Sequence, residues 1–100
     1  MELGILVNSD QHEKEVIGIT NAALQAGHSV RIFPMDCGTR LLESPAFVDL
    51  NEIEGVSMAY CALSAENWKV NTDQVPKSIK AGDQFNNAMM QNETDKVIVL

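Results

Sequence analysis

Short apolar runs alternate with longer amphipathic stretches along the whole chain. Leu3-Gly4-Ile5-Leu6-Val7 is the first run, His28 to Phe33 the second, Val56 to Cys61 the third and Lys96 to Leu100 the last. Runs of this length, rich in β-branched residues and bounded by Gly or polar turns, read as strands. The outer two are almost continuously apolar, as strands buried on both faces are.

The intervening stretches carry helical spacing. Asp10, with Glu13 three residues on, has the form of a capping box. Behind it Val16, Ile19, Ala23 and Ala26 share one face, with Leu24 beside them, until Gly27 ends the helix. Gly18 interrupts that helix at a cost of about 1 kcal/mol against Ala, and close approach to a sheet would account for it. Ser44-Pro45 predicts a second helix start, with Phe47, Leu50 and Ile53 as its apolar stripe and Gly55 as its end. A short helix over Ala62 to Trp68, a turn over Val70 to Asp73 and a brief strand within Pro76 to Ala81 follow. Phe85, Ala88 and Met89 predict a final helix between Asp83 and Asn92.

Strand–helix–strand alternation at this spacing implies right-handed βαβ units. The predicted fold is therefore a single three-layer α/β domain over residues 1–100, a parallel four- or five-stranded sheet with helices on both faces. A flavodoxin-like order, 2-1-3-4-5 with strand one central, is the simplest arrangement. In such sheets chemistry sits beyond the carboxyl ends of the strands. That edge would gather the Asn8 to His12 loop, the Asp36-Cys37-Gly38 loop and Cys61.

Composition narrows the partners. One hundred residues with 14 acidic and 7 basic side chains carry a formal charge of −7. No basic cluster offsets it, so nucleic acid and anionic membranes are disfavoured partners. The first apolar run is too short for a signal core, and no stretch has the roughly 18 apolar residues of a membrane span. The expected location is the cytoplasm, where Cys37 and Cys61, the two cysteines of the chain, stay reduced. No Gly-rich fingerprint follows the first strand, and His12, Cys37 and Cys61 lack metal-ligand spacing; neither a cofactor nor a metal is expected.

Cys61 is the leading candidate for chemistry. A thiol at the junction of a strand and a helix start feels the partial positive charge of the helix amino terminus, which favours the nucleophilic thiolate. Lys69 would add to this and Glu66 would oppose it. A buried cysteine in an apolar strand also serves as a small hydrophobe, and position alone admits both readings. Cys37 would either resolve an oxidised Cys61 or remain a free loop thiol. With strand one between strands two and three, their ends lie about 10 Å apart, beyond the roughly 7 Å a disulfide spans. His12 could exchange protons at the same edge or be plain surface. Met35, Met58, Met89 and Met90 read as core or interface filler.

The segment from Val56 to Val70, VSMAYCALSAENWKV, resembles the cysteine segment of the DsrE/DsrF-like (TusD-like) sulfur-relay family. Gly27-His28-Ser29-Val30 is similar to the family's entry to strand two, and Asp95 to Val99 to its closing strand. The resemblance implies a sulfur carrier whose Cys61 takes up a sulfane sulfur as a persulfide and passes it on. It also implies protein donors and acceptors, and a homotrimer or homohexamer. Two other readings remain. One is a non-catalytic subunit of the same fold that binds a small ligand or serves assembly. The other is a thiol redox protein using Cys61 with Cys37. Under the carrier reading Cys61 is expected to be at least partly open to solvent.

Overall fold

Five strands form the sheet in the computed structural model, which describes all 100 residues. They are β1 (Glu2–Val7), β2 (Ser29–Pro34), β3 (Val56–Cys61), β4 (Lys80–Gly82) and β5 (Lys96–Val99). Every pairing is parallel. The helices are α1 (Glu13–Gln25), α2 (Pro45–Val48), α3 (Ala62–Asn67) and α4 (Gln84–Glu93), with 3-10 helices over Asp36–Glu43 and Asp49–Glu52. The parallel sheet with helices on both faces is the arrangement the sequence predicts. No helix is long and apolar enough to cross a membrane.

The strand order is β4-β3-β2-β1-β5, so β2, not β1, is central and the specific order 2-1-3-4-5 does not hold. The reason lies in which face each crossover uses. Alternate strand residues divide cleanly: Ile5, Val7, Val30, Ile32, Met58 and Tyr60 point into one core, with Val16 of α1, Leu41, Phe47, Leu50 and Ala65 of α3. Phe33 and Cys61 point to the other face, against Met90 of α4. Right-handed crossovers on one face all step the chain in one direction. The first three connections therefore carry it from β1 outward to β4. Only α4 crosses the opposite face, and it brings β5 back beside β1. Period-2 alternation shows that two faces exist but not which face a given helix takes.

Several local features depart from the sequence reading. Helix α1 begins at Glu13 behind His12, which makes no side-chain cap. Asp10 instead accepts from the Gln11 amide at 3.0 Å and pairs with Arg40 at 3.3 Å, so the predicted capping box does not form. Gly18 faces open space, and close packing does not explain it. Gly27, at φ +88°, does end α1. The second helix lasts one turn before tightening to 3-10, leaving Phe47 and Leu50 buried but Ile53 on the surface. The fourth strand falls at Lys80–Gly82, beyond Pro76. On α4 the expected stripe is turned outward. Phe85 is 69% and Met89 38% exposed, Ala88 is exposed too, and Asn87 and Met90 face the sheet. This turn is fixed by Gly4, where a side-chain carbon would stand 2.9 Å from the Thr94 hydroxyl and 3.3 Å from Met90.

Candidate functional site

Cys61 is the last residue of β3 and the N-cap of α3. Its register partner is Gly82, the last residue of β4. From these two neighbours the chain diverges: α3 joins the core on one face of the sheet and α4 covers the other. A divergence of connections at the carboxyl ends of adjacent parallel strands leaves a crevice there, the usual ligand position in open α/β sheets. Cys61 stands at that divergence.

The thiol is more enclosed than the sequence suggests. Cys61 is 5% exposed, packed in a small cluster with Phe33 and Met90, with Leu6, Met35, Ala59 and Val97 around it. The expectation of partial accessibility is thus corrected. The helix over Gln84–Glu93 lies across this face, a covering that pattern reading of the α3 region alone could not reveal.

Burial alone pushes a thiol pKa up, because a low-dielectric setting penalises the thiolate. Donors converging on the sulfur outweigh it. They are the Ser64 hydroxyl and N–H, the Gln84 side-chain amide and the Leu63 N–H, and the net effect holds Cys61 below the ordinary thiol value. The Cys61 side chain makes no capping hydrogen bond to the α3 amides. The leading influences are neutral dipoles, among them the N–H groups at the amino terminus of α3 on which the sequence reading rested; the charges of Lys69 and Glu66 are not among them.

Gln84 also donates to the Met35 sulfur at 3.9 Å, as does Asn87 at 3.9 Å. Asn87 is in turn bonded to Gln84 at 3.1 Å and accepts from Gln91 at 2.9 Å. An amide network thus runs along the inner side of α4 beside the sulfur cluster. Its first residue is held by a capping box. The Asp83 carboxylate accepts from the Phe85 N–H at 3.0 Å, and the Asn86 side chain accepts from the Asp83 N–H at 3.0 Å. Sequence reasoning missed Ser64 and Gln84. Ser64 was legible, three residues past the cap where a side chain can turn back; Gln84 comes from a distant segment and had no local signal.

The other two candidates lie apart from Cys61. Cys37 and Cys61 are both free thiols. Because β2 and β3 are adjacent, the predicted separation by an intervening strand is not what keeps them unpaired. After Pro34 the chain turns toward β1 instead. The Cys37 thiol reaches the Asn8 carbonyl at 3.7 Å, and Gly38 packs so tightly on the Val7 carbonyl that a side chain there would collide with it. Strand β1 lies on the far side of β2 from β3. His12 is surface, paired with Glu15 at 3.6 Å. His28 sits at the turn into β2, its Nδ1 3.1 Å from the Met1 amine. No group of three or more His, Cys, Asp or Glu side chains is placed to hold a metal.

No family model matches the chain. No curated protein matches it by sequence. Among solved structures, the crystal structure of the ychN protein from E. coli is similar over 99% of this chain and 97% of its own, with a TM-score of 0.68 and 13% identity. At that identity the likeness shows the fold alone.

Proposed function

We propose that the protein is a sulfur-relay carrier of the DsrE/DsrF-like kind, acting in the cytoplasm, with Cys61 as the persulfide acceptor. The observation that carries this reading is the position of Cys61 at the carboxyl end of β3 and the start of α3, beside the β4 end where the connections diverge, with its thiolate favoured despite burial. The shared fold and the resemblance of Val56 to Val70 support it.

The step requires little of the chain. The Cys61 thiolate attacks the outer sulfur of a donor persulfide, R–S–SH. A new S–S bond forms to Cys61, the donor S–S bond breaks, and the donor leaves as its thiolate with the bonding pair. No net oxidation occurs, and the proton stays on the transferred sulfur. Delivery is the reverse exchange with an acceptor thiolate. The donors facing the sulfur would hold either anion, thiolate or persulfide, in a setting from which most water is excluded. His12 and Cys37 take no part in this step.

Donor and acceptor are proteins, and the carrier works as a homotrimer or homohexamer. The apolar side chains that α4 turns outward, Phe85 and Met89, together with Val99 on the β5 edge, support such association. The test is incubation with a low-molecular-weight persulfide donor followed by intact mass measurement. A gain of one sulfur, lost in Cys61→Ser and kept in Cys37→Ser, is the expected result. Loading that survives Cys61→Ser would refute the assignment.

A second reading, the non-catalytic subunit, is favoured by the enclosure of Cys61 at 5% exposure. It predicts no loading even after the face covered by α4 is opened with mild denaturant. A dithiol mechanism has the least support, since Cys37 is turned toward Asn8.

A further inference from the structure

Face coverage is unequal, and the one cavity in the molecule follows from that. A single helix, α4, lies on the side of the sheet that carries Arg31, Phe33, Ser57 and Ala59. Between α4 and the β4 edge it leaves a groove of about 230 Å³. Its lining includes the buried Phe33 and half-buried Ala59 of the sheet, Met89 and Met90 of α4, and the exposed Ser57 and Lys80. We propose that this groove binds a small monocarboxylate carrying a short hydrocarbon or single-ring body. Phe33, Ala59 and Met90 also pack around Cys61, but the thiol does not line the groove, and binding does not depend on the sulfur chemistry proposed for it.

Charge selects the ligand. The two cations that border the groove are not equivalent. Arg31 is held by Glu93 at 3.0 Å and by Glu2 at 3.3 Å, so it closes one end as a neutralised group. Lys80 takes part in none of the ion pairs of the chain. The register pairs Lys80 with Ala59, which sets its ammonium on the same side of the sheet as the apolar lining. One unpaired cation beside an apolar lining suits one negative charge joined to an apolar body. A dianion would meet Glu2 and Glu93 at the other end. Ser57, exposed and on the same lining as Lys80, adds a hydroxyl. The volume is below the roughly 300–1,000 Å³ of drug-sized sites, which limits the body to about six carbons. The chain's charge of −7 opposes anions at long range, but about 0.15 M salt screens that field within roughly 8 Å. Lys80 is then the charge the ligand meets.

The test is a titration of the isotopically labelled protein with hexanoate and, separately, hexanol, followed by amide NMR. Hexanoate should shift the Phe33, Ser57, Ala59 and Lys80 resonances saturably and bind more tightly than hexanol. Lys80→Met should weaken hexanoate roughly 2- to 5-fold, the range of one partly exposed charge pair, and leave hexanol unchanged. Ser57→Trp, which fills the groove from an exposed position, should abolish both. Shifts scattered over the surface, equal affinity for the acid and the alcohol, or no effect of Lys80→Met would overturn the proposal. So would a groove closed to both ligands because a second copy of the chain covers it.

Discussion

Replacing Gly82 with alanine drives a methyl group into the side-chain oxygen of Asn86, the acceptor for the Asp83 N–H in the α4 capping box. Gly82 is not among the positive-φ glycines, so the backbone itself tolerates alanine. The Asn86 side chain can swing away, at the loss of that hydrogen bond, worth about 0.5–1.5 kcal/mol. Against this, alanine restricts the unfolded chain and stabilises by about 0.4–1 kcal/mol. In the wild-type background the two effects nearly cancel. In an Asn86→Ala background the bond is already gone, and the Asn86 Cβ lies an ordinary 3.4 Å from the added carbon. There, Gly82→Ala should stabilise by the full 0.4–1 kcal/mol or so. The double-mutant cycle should therefore show a coupling of about 0.5–1.5 kcal/mol. At roughly 4–8 °C per kcal/mol for a domain of this size, thermal unfolding resolves it, with urea unfolding as the second measure. Additivity of the two substitutions within about 0.3 kcal/mol would refute the reasoning.

Three further outcomes are expected. Ser64→Ala and Gln84→Ala should each raise the pH midpoint of iodoacetamide labelling at Cys61, since each removes a donor that favours the thiolate; midpoints that do not move would contradict that account. The same depressed pKa has a stability consequence with a definite sign. Ionised Cys61 contributes stability above the unfolded thiol pKa of about 8.5, and that contribution is lost as pH falls through the lower folded value. The stability advantage over Cys61→Ser should accordingly grow with pH across that window, measured by urea unfolding. Phe47→Ala, at a fully buried core position, should cost about 3–5 kcal/mol, whereas Phe85→Ala, on the exposed side of α4, should leave the monomer's stability within about 0.5 kcal/mol while weakening self-association in sedimentation experiments. A wild-type species of 11.0 kDa at micromolar concentration would contradict the proposed oligomer.

Strands β1, β2, β3 and β5 were legible as short apolar runs, whereas β4, three residues with no buried position, carries no such run. The helices were legible as helices for a different reason, since α1 shows one apolar stripe and a Gly stop. What local pattern could not show was which face each helix takes, and the strand order depends on that choice. The same gap inverted α4. Phe85, Ala88 and Met89 form the most apolar stripe, yet Gly4 and the Thr94–Met90 turn dock the other side, where Asn87 satisfies itself on Gln84 and Gln91. For the site, Cys61 at the end of a strand was readable from the chain direction alone. Its burial under α4 and the approach of Gln84 were not, because both arise from a segment about twenty residues away that reaches Cys61 only through the fold.

The unequal covering of the two sheet faces also sets how a reagent or partner reaches the buried sulfur. Thirteen buried residues knit one side together, but only Phe33, Met90 and Cys61 form the cluster on the other. Helix α4 and the three-residue β4 beside it can therefore detach at a free energy well below that of global unfolding, as the least protected unit of the domain. Amide hydrogens of β1 and β2 should then exchange through whole-molecule unfolding, and those of α4 through a smaller opening with a shallower denaturant slope. Cys61 belongs kinetically to the second group. Its rate of reaction is the product of a local opening equilibrium and an intrinsic thiolate reactivity, so a docking surface that pries α4 away would govern that reaction without touching the sulfur.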